Sequence, residues 1–495
     1  MTTPPTTILW FRQDLRLTDN AALIAALQRG GPVLPVYIDS SAEESPWAAG
    51  AASRWWLHQS LTALDRKLRR LDTQLLVRRG SAQQTLDELL DVSGATAVYW
   101  NRRYEPAVIA RDQLVKAALR KRGIAAESFN SALLVEPWQV QNQAGKPFQV
   151  FTPFWRHVVK SLDPPSVLAA PQHWPNANIA GAFQKVTAAV GQLTLNDLSL
   201  LPQINWYQSM ANTWTPGEQG AAEQLEIFLD AAVLQYDTGR DRPAVRGTSQ
   251  LSPHLHFGEI SPRQIWHALA QRAVASTPDA AQRMGWRGSQ YVTELGWREF
   301  AHHLLFHFPH TPLEPLRTEF TRFPWAQDAA ALRAWQQGRT GVPLIDAGLR
   351  ELWATGWMHN RVRMIVASFL VKNLRLPWQD GARWFWDTLV DADLASNTMG
   401  WQWSAGCGAD AAPYFRIFNP VTQGKRFDPD GSYVRRWVPE LAALGPKHVH
   451  APWEAPPQEL SAARVQLGIS YPLPMVDLQI SRAAALKAFQ TLRAS

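Results

Sequence analysis

Four clusters between residues 236 and 403 of this 495-residue sequence combine residue types and spacings that suit chemistry. The first runs through Tyr236, Arg240, Arg242, Arg246, Gly247-Thr248-Ser249 and Ser252-Pro253. Glycine lets backbone approach a ligand closely, and the hydroxyls can donate to phosphate oxygens. Ser252 reads as an N-cap with Pro253 at the first helical position, and the free N–H groups of a helix start attract anions. A cofactor pyrophosphate fits this pattern, and so does an ordinary capped helix after a basic loop. The second cluster is Glu294, Trp297 and Arg298, which share one helix face through their three- and four-residue spacing. It reads either as a group that hydrogen-bonds and stacks a base, or as a surface ion pair beside a core indole. The third is Trp357-Met358-His359-Asn360-Arg361-Val362-Arg363-Met364. Val362, Ile365, Val366, Phe369 and Leu370 make its apolar stripe. Arg361 and Arg363 therefore need partners, because an unpaired buried charge is costly. Asp391 and Asp393, followed by Asn397, offer them. The fourth is Gly400-Trp401-Gln402-Trp403. Positions two apart on a helix point roughly 200° apart, so one indole faces inward while the other faces a pocket.

Composition narrows the chemistry. The chain has 24 Trp, a density that suits stacking on flat ligands, electron transfer or both, although packing explains any single indole. A net charge of +7 points mildly to a polyanionic partner, and equally well to a basic but inert surface. The single Cys407 forbids an internal disulfide and suits a reducing cytosol. No apolar run approaches the ~18 residues of a membrane span, and the Thr/Pro-rich start lacks the order of a secretion signal. A cytoplasmic monomer is expected. His302, His303, His307 and His310 include one pair at zinc-like spacing, but with no Cys nearby they read as structural and no metal is expected.

The elements that must position these clusters fall into two classes. In the first ~130 residues, β-rich runs at 8–11, 33–38, 75–77 and 97–100 alternate with helical patterns near 20–28, 53–71, 81–91 and 107–122. This alternation predicts a parallel, helix-covered sheet. It carries no Gly-x-Gly-x-x-Gly after its first strand, so a dinucleotide fingerprint is absent. Ligands of such sheets bind at the carboxyl ends of strands, here Phe11-Arg12 and the 39–47 stretch. Residues ~135–215 show little periodicity and read as a long connector. From Pro216 the pattern is helical, clearest over 218–236, 262–272, 289–307, 329–337, 345–355, 358–374 and 381–390, with no strand after 220. The expected organisation is an α/β Rossmann-like domain over 6–132, a linker over 133–217 and an all-helical domain over 218–493.

Taken together, the strings Trp297-Arg298-Glu299-Phe300, Trp357-Met358-His359-Asn360-Arg361, Asp391-x-Asp393, Gly400-Trp401-Gln402-Trp403 and Phe415-Arg416-Ile417-Phe418-Asn419-Pro420 resemble the DNA photolyase/cryptochrome family. The opening Trp10-Phe11-Arg12-x-Asp14-Leu15-Arg16-Leu17-x-Asp19-Asn20 resembles its first motif, so the likeness spans nearly the whole chain in order. It implies an antenna domain and a helical domain holding FAD. Carried over by motif, Tyr236, Thr248, Ser249, Leu251 and Ser252 would contact the flavin phosphates. Gln250 stands where many members have Arg or Lys, which puts a charge contact there in doubt. Trp357, Asn360, Arg363, Asp391, Asp393 and Asn397 would line the isoalloxazine and adenine, with Asn397 opposite flavin N5. Trp401, Trp378 and Trp325 would relay electrons from inside to surface. Trp384 and Trp386 stay unassigned, as core or as a side branch.

The lesion set would be Glu294, Trp297, Asn360, Arg361, Met364 and Trp403, with Arg416 and Lys425 on DNA phosphates. This resembles members that repair cyclobutane pyrimidine dimers; the paired His at 359–360 and the His at 364 usual in the (6-4) branch are missing. The stretches Trp100–Pro106 and Trp214–Glu218 are similar to the bacterial subgroup nearest plant cryptochromes. The implied activity is light-driven dimer repair by electron transfer from excited reduced FAD, a deoxyribodipyrimidine photo-lyase reaction on DNA. The alternative is a blue-light photoreceptor without repair, which predicts a signalling tail and a changed residue at 397. Ala107-Val108 replace the Asn-Glu of enteric folate-binding members. Methenyltetrahydrofolate bound in another manner is the first antenna choice, and a deazaflavin the second.

Overall fold

A computed structural model of the chain describes residues 5–174, 179–276, 285–414 and 416–494. Five parallel strands, β1 (Thr7–Phe11), β2 (Val33–Asp39), β3 (Leu76–Arg79), β4 (Ala97–Asn101) and β5 (Ala125–Phe129), lie in the order β3-β2-β1-β4-β5. Every residue of β1, β2 and β4 is buried, as expected when helices cover both faces of a sheet. The covering helices are α1 (Ala21–Gln28), α2 (Ala51–Arg69), α3 (Ala82–Ser93) and α4 (Pro106–Lys121). Strand order reverses between β1 and β4, so the crevice for a ligand opens beyond their carboxyl ends. Phe11-Arg12 and Asp39–Trp47 lie there, as the sequence implies.

The β5 strand is absent from the sequence reading. Its Ala-Ala-Glu-Ser-Phe run is a partly exposed edge with weak alternation. The connector also holds more structure than expected: α5 (Phe151–Ser161) and helices at Ile179–Val190 and Gln208–Thr213. Phe151, Phe154, Trp155 and Val158 form the buried stripe of α5.

The second half is helical from Glu218, and among the described residues it forms no strand beyond an isolated bridge between Leu467 and Tyr471. Five helices position the clusters: α6 (Gln290–His307), α7 (Pro343–Thr355), α8 (Asn360–Ser368), α9 (Trp378–Thr388) and α10 (Leu394–Ala405). Local chemistry sets their ends. Ser289 caps α6 by accepting from Val292 N, and Asp393 caps α10 by accepting from Ser396 N at 2.7 Å. Gly356 and Gly406 end α7 and α10 in left-handed conformations that suit glycine. Two expected helices are broken. The 218–236 run stops at Asp230 and resumes as short turns, and α8 passes at Phe369 into a π-helical turn. No helix among the described residues is long and apolar enough to cross a membrane.

The two halves meet through backbone. A Cβ on Gly50 would lie 2.3 Å from the Trp386 carbonyl oxygen, and one on Gly258 would lie 2.2 Å from that of Gln13. Around these contacts, Ala51 N donates to Asp387, Leu15 N donates to the Phe257 carbonyl and Trp56 Nε1 donates to Glu259.

Candidate functional site

The loop from Tyr236 to Ser252 forms one wall. Gly247 sits so close to Gly239 that a Cβ would lie 2.2 Å from its carbonyl oxygen, which folds the loop into a tight cradle. Thr248 and Ser249 are half-buried on it. Gln250 turns the chain with a φ of 53°. The expected N-cap shifts by one residue: Leu251 precedes a five-residue helix over Ser252–His256, and no side chain caps it. Ser252 Oγ instead accepts from Trp357 Nε1 at 3.3 Å, linking the cradle to the next wall.

That wall is α8. His359 caps it through Nδ1, which accepts from Arg361 N. Arg363 donates to Asp391 at 2.8 and 3.1 Å and to the Met358 carbonyl at 2.7 Å, and its guanidinium lies over the Trp357 ring. Only this half of the expected pairing is found. Arg361 reaches Asp241 at 2.6 Å instead, and Asp393 faces His302 at 3.4 Å and His256 at 4.0 Å. Burial opposes charge on Asp393, but His302 foremost, with His256 and Arg298, pulls its carboxyl well below the usual range. It stays ionised as the cap of α10.

On α6, Glu294 pairs with Arg240 and accepts from Gln290 Nε2 at 2.8 Å. Arg298, the helix-face partner read from spacing, donates to the Ala132 carbonyl at 2.7 Å. Consecutive residues Arg240 and Asp241 thus hold one side chain from α6 and one from α8. Asp241 escapes the sequence reading, although an acid set between Arg240 and Arg242 was a signal. Asn360 is exposed at the start of α8, with Met364 half-buried one turn on. Trp403 is half-buried, its ring centroid 6.5 Å from that of Phe418. Arg416 and Lys425 are exposed, and Phe415 lies outside the described residues.

Trp401 and Trp378 are buried and Trp325 is half-buried. Gly381 stands one turn after Trp378, and the Trp401 ring rests on it: a Cβ there would lie 2.0 Å from Cη2. Ala326 N donates to the Arg375 carbonyl, bringing Trp325 beside the start of α9. Asn397 Nδ2 donates to the Ala382 carbonyl at 3.0 Å. Trp384 stacks on Trp353, which stacks on Trp206, while Trp386 meets Trp47 edge-on at 5.4 Å. The histidine pair has structural neighbours: His303 Nε2 accepts from Phe148 N, and its ring lies 4.6 Å from that of His307.

Beneath α8, buried Glu351 accepts from Tyr433 OH at 2.6 Å and from His359 N at 3.3 Å. Burial raises its carboxyl to about 7. Between pH 4.5 and 7 the folded protein therefore holds a proton that the unfolded chain has released, and this group's contribution to stability falls as pH rises through that window. Glu351→Gln should remove that slope. The stability difference between variant and wild type should shift toward the variant by about 3 kcal/mol from pH 4.5 to 8, at 1.36 kcal/mol per pH unit. Urea titrations at each pH check it; a constant difference would show that Glu351 is not the titrating group. Taking the difference cancels His359, which burial lowers to about 4 and which has the opposite slope.

The residues fit a flavin. The Gly239–Gly247 cradle leaves backbone and hydroxyls for a phosphate, Arg363 is fixed at both ends beside an indole, and Trp401 Nε1 and His359 Nε2 are buried without hydrogen-bond partners among the described residues. A parallel-sheet domain packed on a helical domain with this site defines a two-domain flavoprotein architecture. The family models agree: residues 7–175 match DNA photolyase, and residues 291–491 match the FAD binding domain of DNA photolyase. A deoxyribodipyrimidine photo-lyase from Agrobacterium fabrum is 46% identical over 98% of each chain. Cryptochrome-1 from Arabidopsis thaliana is 41% identical over 98% of this chain and 70% of its own. The crystal structure of a bacterial class III photolyase from Agrobacterium tumefaciens superposes with a TM-score of 0.90 at 45% identity, covering 100% of this chain and 99% of that one. The chain belongs to the DNA photolyase/cryptochrome family, and its helical half is the family's FAD-binding domain.

Proposed function

We propose that this protein splits cyclobutane pyrimidine dimers in DNA under blue light. The observation that carries the reading is the Arg240-Asp241 bridge, which ties Glu294 on α6 and Arg361 on α8 to the loop that cradles phosphate. This brings Glu294 and Arg361 of the lesion set beside the Tyr236–Ser252 loop of the cofactor set, which supports a shared site. When bound, reduced FAD would supply light-driven electron transfer to and from the dimer. Tyr236, Thr248, Ser249, Leu251 and Ser252 hold its phosphate side. Trp357, Asn360, Arg363, Asp391, Asp393 and Asn397 line its rings. Because Asn397 commits Nδ2 to Ala382, its Oδ1 is the atom left to accept from a ring N–H.

Arg416 and Lys425 engage DNA phosphates, which positions the duplex without specifying sequence. A dimer stacks and pairs poorly, so extruding it costs little. Trp297, Trp403 and Met364 wall the extruded bases, and Glu294 and Arg361 hydrogen-bond them. Trp401, Trp378 and Trp325 carry electrons outward, a reading supported by the full burial of the first two and the partial exposure of Trp325.

Blue light on the reduced protein with a dimer-containing oligonucleotide should restore thymines. No light-dependent restoration overturns the reading. Trp401→Phe should abolish photoreduction of the oxidised protein yet leave repair by chemically reduced protein intact; loss of both, or of neither, removes Trp401 from the relay.

Two cavities serve the antenna question. One of about 210 Å³ is lined by Trp47, Trp386, Arg103, Glu44 and His256. Another of about 360 Å³, beyond the strand ends, is lined by Arg12, Tyr37, Asp39, Arg79 and Arg111. The first pairs two indoles beside Arg103, which is itself paired with Glu44 and Glu105, and its aromatic lining suits the flat pterin of methenyltetrahydrofolate. The second, more polar, suits a deazaflavin. Extraction and absorbance of bound chromophores decide between them.

A further inference from the structure

The contact behind Trp297 is unusual in its closeness. Phe151, the first residue of α5, lies on the Trp297 ring with centroids 3.7 Å apart and planes 9° apart. Among the described residues the next-shortest ring separation is 4.4 Å. An indole has two faces. Phe151 covers one, and Phe300 meets Trp297 edge-on at 6.0 Å and 71°. Phe151 is buried, so the face of Trp297 that it covers is closed, while Trp297 as a whole keeps partial exposure.

The backing is itself braced. Phe154 packs on Phe300 at 5.0 Å, and Trp155 lies so close to α6 that a Cβ on Gly296 would come within 2.5 Å of its ring. Asp410 Oδ2 accepts from Phe151 N at 3.1 Å. Asp410 belongs to the segment that follows Trp403 and leads to Arg416. One hydrogen bond thus joins the residue behind Trp297 to the chain that carries the opposite wall.

We infer that Phe151, tethered by Asp410, is a positioning residue for the lesion: it presets Trp297 as a rigid platform for one pyrimidine of the extruded dimer. The inference rests on the repair reading above. The physical gain is preorganisation, because an indole already held in place loses no side-chain freedom when a base packs on it. Base–aromatic packing is strong enough for this to register in affinity. Asp410 adds a fixed relation between the platform and the Trp403 side.

The test measures dark binding of the FAD-loaded protein to dimer-containing and undamaged oligonucleotides. Phe151→Leu should weaken dimer binding about fivefold, the low end of what base–aromatic packing contributes, and leave undamaged DNA unaffected. Phe151→Tyr, which keeps the ring, should bind as wild type. Asp410→Gly removes the carboxylate at a left-handed φ of 46° that glycine adopts freely, and should weaken dimer binding in the same selective way. In steady-state repair, these losses should appear in KM with kcat retained. Unchanged dimer preference in Phe151→Leu, equal losses on both DNAs, or a Tyr variant as weak as Leu would overturn the inference and leave the repair reading standing. A wild type without dimer preference overturns both. If Phe151→Leu does not fold, Asp410→Gly decides by the same criterion.

Discussion

Arg363→Met should give a protein that is less stable by about 3 kcal/mol and poor in FAD. The side chain of Asp391 is 3% exposed and receives two hydrogen bonds from Arg363. Removing one partner of a buried pair leaves the other charge uncompensated, at a cost of about 3–5 kcal/mol. Arg363 itself is 23% exposed, which favours the lower end. Loss of the contact to the Met358 carbonyl loosens the start of α8, where Trp357 and Asn360 sit. Arg363→Lys should recover only part, because an ammonium cannot reproduce the planar fork. Urea unfolding and the flavin-to-protein absorbance ratio measure both effects. A variant with wild-type stability and full flavin would refute a structural role for this pair in the site.

Gly381→Ala should destabilise the protein although alanine is the better helix former. Alanine in place of a mid-helix glycine gains about 1 kcal/mol. Against that, the new Cβ would meet Trp401 Cη2 at 2.0 Å and Cζ3 at 2.4 Å. Overpacking of this kind costs about 1–3 kcal/mol, and Trp401 has no room to retreat between Phe385 and Trp335. The net effect should be a loss of up to about 2 kcal/mol, with slower photoreduction as the indole is displaced. A melting temperature equal to or above wild type would show that the helix and ring separate easily. Of the two effects, photoreduction is the one that reports on the relay rather than on packing.

The sequence carried the site's residue types better than their pairings. Two arginines entering an apolar helix announce a need for acids, and Asp391 answers for one of them. Asp241 answers for the other, and its closeness to Arg361 depends on how the 236–252 loop folds across α8, a tertiary fact with no periodic signature. Likewise Glu294 and Arg298 satisfy the helix spacing rule, yet each finds a partner in another segment. Four strands and their helices were readable because buried β-branched and aromatic runs alternate with amphipathic ones. The edge strand β5 lacks that contrast. In the connector, α5 hides behind Pro153 in its first turn, where proline is tolerated but reads as a break. With α5 hidden, so was Phe151 behind Trp297.

The glycine junctions between the two halves have an optical consequence. At Gly50 and Gly258 the backbones of the sheet domain and the helical domain touch with no side chain between them. Excitation passed by dipole coupling depends on the separation and mutual orientation of donor and acceptor. For an antenna chromophore seated in the sheet domain, these close contacts, with the hydrogen bonds around them, would hold both quantities, much as mounts fix a pair of lenses. A side chain added at either glycine would wedge the halves apart and detune the coupling, even with both chromophores still bound.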